Sequence, residues 1–245
     1  MKRTIWISVA LVAFILPGCD KEESDANLTN PADSPYTVTI NPTNFVPGDS
    51  ITGNTYFPIV VGQTMVYEGT DDGVSETVEV IVMDSIKTIM GVDCRIVRDK
   101  AFEDGELVED TFDWYAQDRS GNVWYFGEDT HEIENGVPVN SDGSWEAGVD
   151  GALPGVLMFA EPIVGVWYRQ EYYKGEAEDV AQVLSIGETL TVPYGTFTNC
   201  LRTLEYPLLE PGNEENKIYA PGIGLLRAVS TKGGSGFEEL VSITP

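Results

Sequence analysis

Histidine is almost missing from this chain of 245 residues: His131 is the single example, and only three cysteines accompany it. Zinc sites need clustered histidine or cysteine, and a Ser-His-Asp triad would have to be built around one loop residue, so both chemistries lose their usual footing. Basic residues are scarce as well, with 14 Lys plus Arg against 40 Asp plus Glu. So negative a field excludes nucleic acid as a partner and repels anionic lipid head groups. No Gly-rich loop follows a strand and opens a helix, which leaves nucleotide chemistry without support. The N-terminal apolar run, residues 5–16, is twelve residues long. A membrane-crossing helix needs about 20.

That run is part of an address. Met1, Lys2 and Arg3 supply a positive start, the apolar stretch follows, and Leu16-Pro17-Gly18-Cys19 places a small residue before a cysteine. Residues 1–18 therefore read as a secretory signal peptide. The tetrad resembles the lipobox of bacterial lipoproteins, although Pro17 stands where that family has a less constrained residue. The resemblance implies that Cys19 is acylated, with a palmitate-type chain, and becomes the first residue of a protein held in the bacterial cell envelope, facing the periplasm or the exterior. Asp20 is similar to an inner-membrane retention signal, and the choice of membrane stays open. Loss of Lys2 and Arg3 with the signal leaves 12 basic against 40 acidic residues, about −28.

Residues 19–56 are rich in Asn, Pro, Asp, Ser, Thr and Gly and read as a lipidated flexible tether, with a short alternating piece at 36–40 that would add an edge strand. A single β-rich domain is expected over 57–245. Apolar and polar residues alternate there with period two, at 78–82, 94–98, 112–116, 123–126, 168–173 and 201–206. Turn pairs such as Asp72-Gly73, Asp104-Gly105 and Asn135-Gly136 favour hairpins over crossover helices. Residues 176–184, the one stretch arguable as helix, lie between Gly175 and Gly187 and read as another strand. An internal repeat is visible. Cys94-Arg95 is followed by Trp114-Tyr115-Ala116 and then Val123, and Cys200-Leu201 by Ile218-Tyr219-Ala220 and then Leu225. Two similar antiparallel meanders predict an all-β fold, a strongly curved sheet or flattened barrel.

Equivalent positions in the two halves make a Cys94–Cys200 disulfide one reading; two cysteines packed as small hydrophobes is the other. Asp142, Glu146 and Asp150 offer hard oxygen ligands on a Gly-rich loop, a candidate calcium site; no other cofactor is indicated. The acids Glu103, Glu106, Glu109 and Asp110 keep open a paired-carboxylate hydrolase acting on envelope or extracellular carbohydrate. Aromatics fall on both faces of the hairpin 112–126, so something must cover its second face. The apolar stretch 151–160 is the nearest candidate, either as core or as a lid over an apolar ligand held by Trp114, Trp124, Phe126, Leu157 and Phe159.

With the lipobox, the curved sheet resembles the half-barrel lipoprotein carriers of bacterial envelopes, which implies a concave apolar face for acyl chains. Residues 114–128 and 219–225 also resemble an uncharacterised family of exported bacterial proteins over 57–243, from which no functional residue carries over. The expectation is a non-catalytic binding or assembly factor whose partners are the membrane, through its lipid, and an envelope protein or apolar ligand.

Overall fold

The computed structural model describes residues 35–245. Signal peptide and Cys19 lie outside the described residues. Fifteen strands account for the domain. The first meander comprises β1 (Thr64–Asp71), β2 (Val74–Ile89), β3 (Val92–Glu103), β4 (Glu106–Gln117) and β5 (Val123–Glu134). Five short strands follow: β6 (Val137–Asn140), β7 (Trp145–Glu146), β8 (Leu153–Met158), β9 (Trp167–Arg169) and β10 (Glu171–Tyr172). The second meander comprises β11 (Asp179–Val192), β12 (Gly195–Pro207), β13 (Glu214–Ala220), β14 (Gly224–Lys232) and β15 (Phe237–Thr244). Five of the six alternating segments lie within these strands, 168–173 is divided between β9 and β10 with Gln170 and Tyr173 outside them, and residues 179–184 belong to β11, a strand as expected.

One antiparallel sheet contains them all, in the order β10-β8-β5-β4-β3-β2-β1-β15-β14-β13-β12-β11-β9, with β6 and β7 paired to β5. Its two terminal strands are separated in sequence only by Gln170, whose N–H donates to Asp179 O at 2.9 Å. The sheet is thereby nearly closed into a barrel, which removes most of the edge that an open sheet would expose. The two meanders match in register. Arg95 lies opposite Tyr115 and Tyr115 opposite Tyr125, while Leu201 lies opposite Tyr219 and Tyr219 opposite Leu225.

Closure depends on a close approach. A Cβ on Gly155 of β8 would lie 2.2 Å from Gln170 O and 2.5 Å from Arg169 O. Backbone on both sides of the seam is held by ladder bonds, so neither can retreat cheaply. Gly155→Ala is expected to cost about 2 kcal/mol, read as a lower midpoint in urea; an unchanged midpoint would show that the seam is not tight.

Residues 36–59 behave differently from a tether. Pro42–Asn44 and Gly48–Ser50 form 3-10 turns, and Phe45, Ile51 and Tyr56 are buried. No strand forms at 36–40; instead the Tyr36 hydroxyl donates to Pro154 O at 2.8 Å, its ring 5.6 Å from that of Tyr172. Phe45 sets its ring edge-on to Trp124 and Phe126, at 5.9 and 5.6 Å. This strap is what covers the outer face of the β4–β5 hairpin. The stretch 151–160 provides β8 instead, whose backbone is bonded to β5 and β10, so it is a wall of the barrel and not a lid. Beyond the strap, residues 52–59 cross the end of the barrel. Asn54 Nδ2 donates to Gly121 O and Met158 O, Gly222 N–H to Thr55 O, and Tyr56 Oη to Asn199 O. Polar side chains among apolar ones, with little periodicity, conceal this cap in the sequence.

Candidate functional site: an acid-lined barrel lumen

Strand alternation decides which side chains enter the barrel. Val78, Val80 and Val82 of β2, Val97 of β3, Tyr115 of β4 and Tyr219 of β13 line an inner chamber of about 200 Å³, closed at the capped end by Phe57 and Ile59. Asp99, Lys217 and Glu238 lie on the same wall. Lys217 and Glu238 also line a second cavity of about 400 Å³ at the opposite end, where Asp71, Glu76 and Glu215 form an acidic mouth. The lumen is thus apolar beneath the cap and anionic at its mouth, and Lys217 and Glu238 mark the neck.

Around the neck the polar groups fall into three sets. In the first, Lys217 Nζ sits 3.1 Å from Glu205 Oε2 and 3.6 Å from Glu215 Oε2. Thr203 Oγ1 and Tyr219 Oη both donate to Glu205 Oε1, at 2.7 and 3.2 Å. Burial raises the Glu205 carboxyl, but the Lys217 charge and the donors, Gln170 among them, outweigh it and hold the pKa below the usual value. The same glutamate holds Lys217 well above its ordinary range, against the effect of burial. Gln170 thus serves both barrel closure and this ion pair, its backbone at the seam and its side chain on Glu205.

The second set is Asp113, Tyr125 and Glu128. Tyr125 Oη lies 2.5 Å from Asp113 Oδ1 and 3.0 Å from Glu128 Oε2. One phenolic hydrogen serves one acceptor, so at least one of the carboxyls carries its own proton. Burial pushes Asp113 up to about 7, opposed by the Tyr125 hydrogen bond, and burial with the Asp113 charge pushes Glu128 up to about 8. In the third set Trp145 Nε1 donates to Glu171 Oε2 at 2.9 Å. Glu171 is raised by burial and by Asp179, and burial lifts Asp179 to about 6.

Asp99 and Glu238 belong to none of these sets. Asp99 Oδ1 is buried without a hydrogen-bond partner. Burial, then the charges of Asp113, Glu238 and other acids, push the Asp99 carboxyl well up; burial and Glu215 raise Glu238 to about 7.

Several expected site residues lie elsewhere. Trp114, Trp124 and Phe126 alternate with Tyr115 and Tyr125 and so point out of the lumen; Trp114 lies under Lys87 Nζ at 3.3 Å, and the other two lie under Phe45. Leu157 does line the inner chamber, and Phe159 packs edge-on to Tyr168 at 4.9 Å. Cys94 and Cys200 are free and buried, on strands β3 and β12 that are separated in the sheet by five other strands. A bond between them is ruled out by that separation, which corrects the disulfide reading in favour of packed thiols. Asp142 and Asp150 are exposed while Glu146 pairs with Lys87 at 2.7 Å, and no group of three metal-ligating side chains forms among the described residues. The candidate calcium loop therefore presents no assembled site. Asp110, from the acid cluster considered for hydrolysis, is held by Arg98 through two 2.7 Å bonds. His131 sits beside Asp129 at 3.3 Å, half-exposed on β5 and away from the lumen.

The sequence reading missed the lumen acids because alternation reveals two faces without saying which is inside. Carboxylates on one face normally mark the solvent side; here, Asp99 between Arg98 and Lys100 was the readable exception, since its charged neighbours claim the outer face.

No protein-family model and no curated protein matches the chain. A crystal structure of a candidate lipoprotein from Parabacteroides distasonis ATCC 8503 is similar, with a TM-score of 0.41 and 13% identity over 78% of this chain and 99% of that one. No helix among the described residues is long and apolar enough to cross a membrane.

Proposed function

We propose that this protein is a non-catalytic, lipid-anchored component of the bacterial envelope that holds a ligand inside its barrel. One observation carries the binding reading: an apolar chamber and an acidic mouth share the neck residues Lys217 and Glu238, with a cap at one end only. A concave, mostly apolar recess with a few converging polar groups is the usual form of a small-molecule site. The anchor rests on the Leu16-Pro17-Gly18-Cys19 sequence, and with a charge near −28 the acyl chains, not the protein surface, would supply membrane affinity. A carbohydrate hydrolase fits less well. Asp113 and Glu128, the facing acids, share the Tyr125 hydroxyl between them, and neither lines the two lumen cavities.

Native mass spectrometry of the protein extracted from membranes tests the whole reading. The expected species lacks residues 1–18, carries acyl groups on Cys19, has two free thiols and retains a noncovalent ligand. An unprocessed chain would sink the anchor, and an empty, ligand-refractory lumen would sink the carrier.

A further inference from the structure

The ligand's head group can be read from the charges left over in the lumen, provided that the lumen is a binding site as proposed above. Two carboxyls, Asp99 and Glu238, lie on the chamber wall, and Asp99 Oδ1 is buried with no hydrogen-bond partner among the described residues. Leaving a buried acceptor unmade is costly, of the order of 1–3 kcal/mol. The cation nearest them cannot fill the role, since Lys217 is already engaged by Glu205 and Glu215. A partner from outside the chain would answer Asp99 with donors, and the acids around it favour one that brings positive charge.

Geometry separates a metal ion from an organic cation. Calcium gathers six to eight oxygens at 2.3–2.6 Å, and the lumen acids form no such group. An ammonium needs only a few acceptors at hydrogen-bond distance. Val80 lies level with Asp99, and from there toward the cap the wall becomes Val82 and Val97 with Phe57 and Ile59, a surface suited to hydrocarbon. The route in supports the same choice, because Asp71, Glu76 and Glu215 at the mouth concentrate cations and turn anions away. We infer that the lumen takes a protonated organic amine with an apolar body, its ammonium hydrogen-bonded by Asp99 and Glu238 and its hydrocarbon packed against the valines of β2 beneath the cap. Burial pushes both carboxyls up and neighbouring acids add to it, with Lys217 opposing the push at Glu238.

Titration calorimetry of the mature, full-length protein with n-octylamine, octanoate and 1-octanol tests this. Octylamine is expected to bind, octanol to bind at least about tenfold more weakly and octanoate not at all, each step being the loss of a charge-assisted contact or its reversal. Calcium chloride should give no heat. Asp99→Asn and Glu238→Gln are each expected to weaken octylamine about tenfold while leaving octanol unchanged; should one variant fail to fold, the other gives the same readout. If octanoate or octanol binds as well as octylamine, the head-group assignment is overturned while the lumen remains a binding site. If none of the three binds, the carrier reading falls with it.

Discussion

Acidification from pH 8 to pH 5 should stabilise this protein by on the order of 5 kcal/mol and raise its melting temperature by roughly 10 °C. The sign comes from the acids enclosed by the barrel. Asp113, Glu128, Asp179 and Glu238 hold their protons up to about 7, 8, 6 and 7, whereas in the unfolded chain they would release them near their ordinary values of 3.8 and 4.5. Between about pH 4 and pH 8 the folded state therefore binds more protons than the unfolded one, and stability falls as pH rises through that window. Glu205 works in the opposite sense. Its carboxyl is lowered on folding, so its contribution is complete above its ordinary value of 4.5 and lost as pH falls below it. The two trends place the optimum near pH 5. Calorimetric melts at pH 5 and pH 8, repeated at high salt, separate the lumen from general charge repulsion, because salt screens the exposed surface and leaves buried groups largely unscreened. Glu128→Gln should flatten part of the dependence. A melting temperature equal or higher at pH 8 would mean that the acids are not enclosed.

Replacing the lumen lysine is the second large perturbation. Lys217→Met is expected to cost about 3 kcal/mol and lower the melting temperature by roughly 6–12 °C, because it strands Glu205, whose side chain is only 8% exposed, in a low-dielectric site. The lower end of the range for broken buried pairs applies, since Lys217 keeps 32% of its side chain open to the lumen. Adding Glu205→Gln should recover most of the loss; the amide keeps the contacts from Thr203 and Tyr219 and removes the stranded charge. A double variant no more stable than Lys217→Met would show that the lysine acts through packing, not through charge.

The strands were legible because alternation and turn chemistry agreed. Asp72-Gly73 and Asp104-Gly105 both adopt positive φ at both positions, the geometry that joins twisted antiparallel strands. Met90-Gly91 makes the same turn between β2 and β3, yet methionine gives no such signal in a sequence. The repeat was readable too, since Tyr115 and Tyr219 recur at similar distances, 21 and 19 residues, from a cysteine. What the sequence concealed was handedness of face. Trp114 and Trp124 are the larger aromatics and attract attention, but the strap shelters them on the outside, and their neighbours Tyr115 and Tyr125 enter the barrel. The strap itself has no periodic signature, because a segment that crosses strand ends is held through single hydrogen bonds and isolated apolar contacts.

That strap has a practical corollary. A recombinant fragment trimmed to begin at Phe57, the tidy start of the periodic region, would retain all fifteen strands but discard Phe45, Ile51 and Tyr56. Its cap would keep Phe57 and Ile59 but lose the hydrogen bonds of Asn54, Thr55 and Tyr56 that tie it down, and the rings of Trp124 and Phe126 would be laid bare. Such a fragment would aggregate for reasons unrelated to the native molecule. Equally, tension applied to the chain ahead of Tyr36 would reach the stopper of the chamber before it reached any strand.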